Sequence, residues 1–361
     1  MNRDVARSLF AQLDLSGSET EEILDELDFM ARYKYDHYEM YAPAGRFFEH
    51  LYRWLAQFTT AKDRKAALTF IRNNLVFISQ REIQDLARFL YYDKIVPIIL
   101  DKILKDKGLS PFAYGEAFKH FKSYLRKCLF IGLSDGAKID FFRRHNIDVS
   151  QEQVLPYYRT AAEDYLKALR DETDDASAHF WAVFLIDDFT GSGYTLIRQD
   201  VDNETGEAKL GGSLERVYGQ HKNIIDHADS VFLCEYVATQ GAINWVRFHI
   251  QSASHYATKL QVLCPLVLPA EIGINADAAT SDSAKFDIVG LCTKYYDSGF
   301  ETPNTLKGGG IKFGYGGHGL PLVLYSNTPN NSLFLLWFNT RPDFQPKFTA
   351  LFTRIDRHKP L

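Results

Sequence analysis

Apolar residues recur every three to four positions through the first third of the chain, which is the helical period. Ile23, Leu27 and Met30 form one stripe, Phe48, Leu51, Leu55 and Phe58 a second, and Ile83, Leu86 and Leu90 a third. The punctuation between them agrees with helices. Ser18 and Glu21, and again Ser79 and Glu82, have capping-box spacing, and Pro43 suits a first helical position. Pro97 kinks or restarts the helix of IVPIILDKIL, which Gly108 and Pro111 close. These aromatic-rich stripes read as core and carry no chemistry.

Near residue 125 the pattern changes to strand, loop and helix. CLFIGL, from Cys128, is a continuous apolar run, SDGAK a turn of small residues, and IDFFRRHN a helix. A run apolar throughout suits a parallel strand buried on both faces. Arg159 to Arg170 is helical, and WAVFLI is a second buried strand that leads into DDFTGSGYT. After a further helix and a turn at Gly211 and Gly212, SVFLCEYV and KLQVLCPLVL supply two more strands. Strands alternating with helices predict an α/β fold with a doubly wound parallel sheet. Ligands bind such sheets at the carboxyl ends of the strands, near the switch point, and both SDGAK and DDFTGSGYT stand at strand ends.

The predicted organisation is a helical N-terminal region over 1–124, an α/β core over 125–270 and a C-terminal cap or flap over 271–361. Within the last, Gly308 to Gly319 is glycine-dense, and Tyr315 and His318 there suit a lid. GLPLVLYSNTPNNSLFLLWF joins two apolar runs by a turn, where Asn327, Asn330, Asn331 and Trp337 read either as pocket residues or as a turn beside a core tryptophan.

Composition adds exclusions. The 361 residues are 46% hydrophobic and 24% charged, ordinary for a folded protein, and no apolar run reaches the roughly 18 residues that cross a bilayer. No membrane partner is expected. The N-terminal residues lack an apolar core and a small-residue cleavage site, which makes the cytoplasm the expected location. Cys128, Cys234, Cys264 and Cys292 are far apart and sit among apolar neighbours, so neither disulfides nor zinc are expected. A net charge of −5 gives no long-range attraction for nucleic acid, yet Lys102 to Arg144 is locally rich in Lys and Arg while Ser16 to Glu39 is acidic. That patch reads as solvated helix faces or as a surface for nucleic acid.

The chemistry concentrates in Val183 to Ile197. A strand that delivers Asp187 and Asp188 into Thr190, Gly191, Ser192, Gly193, Tyr194 and Thr195, and then into a helix, brings carboxylates together with backbone donors. The amides of Ser192 through Thr195 at that helix start can wrap a phosphate dianion, with the Ser192 and Thr195 hydroxyls as added donors. Bare carboxylates repel phosphate, so they fit the hydroxyls of an attached ribose or a magnesium ion that offsets their charge. Gly191-Ser192-Gly193 runs into Tyr194, Thr195 and Leu196, which satisfies neither the Walker A pattern nor the dinucleotide fingerprint. A plain turn capped by Asp and Ser is the alternative.

FLIDDFTGSGYT resembles the phosphoribosyl pyrophosphate loop of type I phosphoribosyltransferases: four apolar residues, two acids, a short spacer, then Ser/Thr-Gly-x-Thr. The resemblance implies a phosphoribosyltransferase-like fold in which Thr190 to Thr195 hold the 5-phosphate and Asp187 and Asp188 contact the ribose hydroxyls and magnesium. The family's upstream pyrophosphate loop has its counterpart in FIGLSDGAK, which implies that role for Ser134, Asp135, Gly136, Ala137 and Lys138. Three departures stand out. Asp135 replaces the basic residue common in that loop, so pyrophosphate is left to Lys138 or to a residue the sequence does not reveal. Gly191 stands where several members carry a base, which excludes general-base catalysis there. The family's flexible hairpin belongs between the two loops, yet 150–175 reads as helix.

Together with FISQREIQDLARFLYYD, GLSDGAK and NTPNNSLFLLWF, the motif makes the chain similar to phosphoribosyltransferase-like effectors of bacterial conflict, or antiphage, systems, including those beside retron reverse transcriptases. Such a resemblance implies a toxin-like effector restrained by a regulatory protein or a reverse-transcriptase complex. The expected ligand is a phosphoribosyl-containing small molecule: phosphoribosyl pyrophosphate, a nucleotide or NAD. The expected chemistry is cleavage or transfer at ribose C1, with the protein chiefly positioning and neutralising. A sensor that keeps the cradle without turnover is the alternative, and a nucleic-acid adaptor using Lys119 to Arg144 a third.

Overall fold

The computed structural model describes residues 3–15, 17–157, 161–201, 208–252, 260–275, 283–340 and 347–355. The chain divides into two compact units, Met1–Gln80 with Ala270–Leu361, and Arg81–Pro269. This differs from three consecutive segments: the helices over 81–126 fall with the sheet, and the C-terminal ninety or so residues fall with the N-terminal helices.

In the first unit, strand β1 (Val76–Ile78) pairs in parallel with β10 (Leu322–Leu324), a pairing the short apolar runs did not announce. Around it gathers an aromatic core: Phe352 lies 5.7 Å from Phe77 and 5.9 Å from Phe47, and the buried Trp54 donates from Nε1 to the Leu335 carbonyl at 2.7 Å. Each such buried aromatic or aliphatic side chain is worth about 1.5–3 kcal/mol. Helix ends here depart from expectation. The helix Ser18–Tyr33 is entered through Gly17 at φ 106° with no side-chain cap, so Ser18 is its first residue and not its cap. Pro43 lies in a turn, and the next helix begins at Phe47, whose amide donates to Asp36 Oδ1 at 2.8 Å. An acid eleven residues upstream thus does the work assigned to proline.

The glycine-dense segment, where Tyr315 and His318 suited a lid, is held by backbone hydrogen bonds. Tyr315 N donates to Asn330 O at 2.7 Å, Gly316 N to Gly308 O at 2.9 Å, and Ile274 N to Gly319 O at 2.9 Å. A Cβ on Gly314, at φ 72°, would stand 2.2 Å from the Asn331 carbonyl, so glycine permits close packing there. Asn331 donates to Tyr315 O and Trp337 to Ser332 O, which makes these residues braces of a turn.

The second unit carries the sheet. Helix Gln80–Phe89 passes through a π-helical stretch, Leu90–Ile95, and restarts as Val96–Asp106 with Pro97 in its first turn; Gly108 ends it at φ 60°. The strands are β2 (Cys128–Gly132), β3 (Val154–Leu155), β4 (Ala182–Thr190), β7 (Ser230–Thr239), β8 (Leu260–Leu263) and β9 (Leu266–Leu268), with the pair β5 (Arg198–Val201) and β6 (Ala208–Gly211) apart from them. The order is β3-β2-β4-β7-β8, with β9 also on β7, and every pairing is parallel.

Both faces of this sheet are covered, as the continuous apolar runs require. Phe130, Phe184 and Phe232 stack across three strands, with ring centroids 5.1 and 4.8 Å apart. On the opposite face Leu129, Leu185 and Leu233 pack with Leu166, Leu214 and Val246 from the crossover helices. Among the described residues no helix is long and apolar enough to cross a membrane.

Candidate functional site

The second strand in sequence sits at the edge, next to the first, and the remaining strands follow on the other side. The order in which strands are added therefore reverses between β2 and β4, and the crevice beyond their carboxyl ends is where such sheets bind ligands. Both sequence motifs end there. Leu133 N donates to Ile186 O at 2.9 Å, one step beyond the β2–β4 ladder, and Ser134 Oγ then donates to Asp187 Oδ1 at 2.6 Å. The same Oδ1 accepts from Asp188 N at 3.0 Å. Asp187 is 7% exposed and Asp188 half-buried.

Ser134 also accepts from Gly136 N at 3.0 Å and caps the 3-10 turn Asp135–Ala137. Asp135 is exposed and Ala137 buried. Lys138, half-buried, has φ 48°, a left-handed conformation rare outside glycine, and opens the helix Ile139–His145. The upstream loop is thus a tight, internally bonded turn tied to Asp187.

The loop expected to hold phosphate departs from expectation at its exit. β4 continues through Thr190, still paired with Ala238. Gly193 N then donates to Thr190 Oγ1 at 3.1 Å and Tyr194 N to Ser192 Oγ at 3.3 Å, while Leu196 N and Ile197 N both reach Gly193 O. Instead of a helix, a single turn leads into the antiparallel hairpin of β5 and β6. The helix is postponed: it begins at Ser213, whose amide donates to Thr195 O at 2.9 Å, with Leu214 N on Leu196 O at 3.2 Å. Two of the four amides expected to face a phosphate, Gly193 and Tyr194, are therefore taken inside the loop, and the helix dipole meets the loop's own carbonyls. Ser192 is half-buried, its hydroxyl already accepting from Tyr194 N, and Thr195 is exposed.

Gly193 has a structural reason as well. At φ 75°, a Cβ there would lie 2.9 Å from Trp245 Cδ1 and 3.0 Å from Ala242 O, on the helix Gln240–Ser252. Thr239 Oγ1 fixes the loop from the same side by donating to Gly191 O at 2.7 Å.

Two neighbours escaped sequence reasoning. Glu235 is the register partner of Asp187 on β7, 1% exposed, and neither of its carboxyl oxygens has a hydrogen-bond partner. Burial, and then the charges of Asp187 and Asp188, push its pKa well above the ordinary carboxylate range. The only signal was an acid inside the apolar run SVFLCEYV. Arg216, exposed on the helix Ser213–Gln220, donates from Nη2 to Leu133 O at 3.1 Å and lies 4.5 Å above the Tyr157 ring. No motif marks it.

Asp187 and Asp188 are the residues that could hold a magnesium ion. Among the described residues no three His, Cys, Asp or Glu side chains converge on one. Magnesium commonly keeps waters and substrate phosphates alongside one or two carboxylates, so this donor pair fits only a shell completed by a ligand. Of the basic stretch, Lys102 pairs with Asp106 and Asp229, Lys119 with Glu116, and Arg126 with Glu172, which lowers its net positive charge.

A family model described as PRTase-CE matches residues 51–354. No curated protein matches the chain, and no solved structure does.

Proposed function

Because this chain belongs to the PRTase-CE family, a phosphoribosyltransferase-like family, we propose that it binds a 5-phosphoribosyl compound together with magnesium and breaks or transfers the bond at ribose C1. The observation that carries this reading is the Ser134–Asp187 hydrogen bond, which ties the two motif loops together at the switch point. In this reading the Ser192 and Thr195 hydroxyls and amides hold the 5-phosphate. Asp187, oriented by Ser134 and the Asp188 amide, and Asp188 accept from the 2- and 3-hydroxyls. Bound magnesium would offset the charge of the two aspartates and of the donor's phosphates. Fixing the sugar while an oxocarbenium-like centre develops uses orientation and electrostatics, so no general base is required of Gly191.

The effector role is part of the same proposal: a cytoplasmic, toxin-like protein of an antiphage system, restrained by a regulatory protein or a reverse-transcriptase complex. It is supported by the resemblance of the quoted segments. A second reading, a sensor that binds without turnover, is favoured by Asp135 and by the two loop amides already taken. The test is release of pyrophosphate from phosphoribosyl pyrophosphate, or of nicotinamide from NAD, by the purified chain with magnesium. Release that disappears in the double variant Asp187→Asn, Asp188→Asn supports the enzyme; binding of ribose 5-phosphate without any release supports the sensor; failure to bind it removes both.

A further inference from the structure

The upstream loop carries an exposed carboxylate, Asp135, next to Ser134, which is itself bonded to Asp187. An anionic group brought beside Ser134 would meet these carboxylates, with Lys138 as the loop's own cation and any further counter-charge coming from another element. Arg216 comes from one. Its helix is hung on the end of the phosphate loop through Ser213 N and Leu214 N, and one turn later its guanidinium reaches the carbonyl of Leu133, the residue before Ser134. One side chain therefore bridges the exit of the phosphate loop and the entry of the upstream loop.

The seat beneath it is built from the sheet edge. Tyr157 follows β3, and its backbone amide lies 3.4 Å from where a Cβ on Gly132 would stand, which places it beside the end of β2. The Tyr157 ring then lies under the guanidinium at 4.5 Å. Cation–π contact of this kind fixes the plane of the group without using its N–H donors. A guanidinium has five of these in a rigid fork that suits oxyanions in a bidentate way, and Leu133 takes a bond from only one of its nitrogens.

We propose that Arg216, seated on Tyr157, is this chain's contact for an anionic group on the C1 side of the sugar, and so selects a donor whose leaving group is a diphosphate over one whose leaving group is a neutral heterocycle. The inference rests on the phosphoribosyl reading of the site and adds a residue and a substrate class to it. It also bears on Asp135, since the helix supplies a counter-charge beside that of Lys138 in the loop.

The test is calorimetric titration of the full chain, with magnesium, against inorganic pyrophosphate and separately against ribose 5-phosphate. Arg216→Gln should weaken pyrophosphate binding by about tenfold or more, the loss of charge-assisted bonds, and change ribose 5-phosphate binding less than about twofold. Arg216→Lys should fall between, because an ammonium keeps the charge and loses the fork. Tyr157→Phe should match the wild type, whereas Tyr157→Ala should lose part of the pyrophosphate affinity. An unaltered melting temperature guards against misfolding. Wild-type protein that binds ribose 5-phosphate but no pyrophosphate, an Arg216→Gln variant with unchanged pyrophosphate affinity, or equal weakening of both ligands would each overturn the inference. Absence of ribose 5-phosphate binding alongside an Arg216-dependent pyrophosphate site would instead sink the phosphoribosyl reading and leave the anion contact standing.

Discussion

Replacing Glu235 with glutamine should make the pH dependence of stability less steep, in a direction fixed by the site's geometry. The carboxyl is enclosed, both oxygens lack partners, and Asp187 and Asp188 stand beside it, so its pKa in the folded chain lies well above the ordinary value of 4.5. A raised carboxyl pKa means that the folded state retains a proton which the unfolded state gives up. The contribution of Glu235 to stability is thus fully present below pH 4.5 and declines as pH rises towards the folded value. Each pH unit well inside that window costs at most on the order of 1 kcal/mol. Glutamine has nearly the same shape and no proton to lose. The difference in unfolding free energy between Glu235→Gln and wild type should therefore move in favour of the variant as pH rises from 4.5 towards the folded pKa. The burial of an unpartnered amide adds an offset, about 1–3 kcal/mol, that does not depend on pH. Urea titrations of both proteins in chelator-containing buffer at half-unit steps read the slope directly. A difference that stays flat across those steps would show that Glu235 titrates like an exposed acid and that its enclosure is wrong.

Ser134→Ala removes the bond between the two loops; hydrogen bonds to charged groups are worth about 1.5–3 kcal/mol, and a loss of that order in urea unfolding should accompany weaker ribose 5-phosphate binding by calorimetry. Gly193→Ala combines a left-handed backbone, about 1–2 kcal/mol, with overpacking against Trp245, about 1–3 kcal/mol. Its denaturation midpoint should drop accordingly, and an unchanged midpoint would mean that the loop relaxes freely. Trp54→Phe leaves the buried Leu335 carbonyl without its donor and should lower stability by about 1–3 kcal/mol in the same assay.

Burial decided how much of the fold could be read from the sequence. β2, β4 and β7 are covered on both faces, so their residues form apolar runs, interrupted by Asp187 and Asp188 in β4 and by Glu235 in β7, and the parallel sheet was legible in them. The pairing of Ser134 with Asp187 was half legible: both loops were identified from strand ends, but a contact across fifty-three residues has no local signature. β5 and β6 were read as helix because few of their residues are apolar and neither period shows. Strands of two or three residues, such as β1 and β3, are too short for any period. Arg216 stayed hidden because an exposed arginine on a helix looks like every other one until the fold brings it to Leu133.

The pairing of β1 with β10 has a consequence for the order in which the molecule is made. As the chain leaves the ribosome, Val76–Ile78 emerges some 240 residues before the strand that receives its hydrogen bonds, and all of Arg81–Pro269 is synthesised in between. The parallel sheet has every one of its strands in hand while the aromatic half is still waiting for Leu322–Leu324, with Phe77 and Trp54 lacking their late-made neighbours Phe352 and Leu335. Premature termination after residue 270 would accordingly leave a nascent product whose parallel sheet is complete and whose earliest-made helices hold sticky aromatic rings, a natural target for chaperones and proteases.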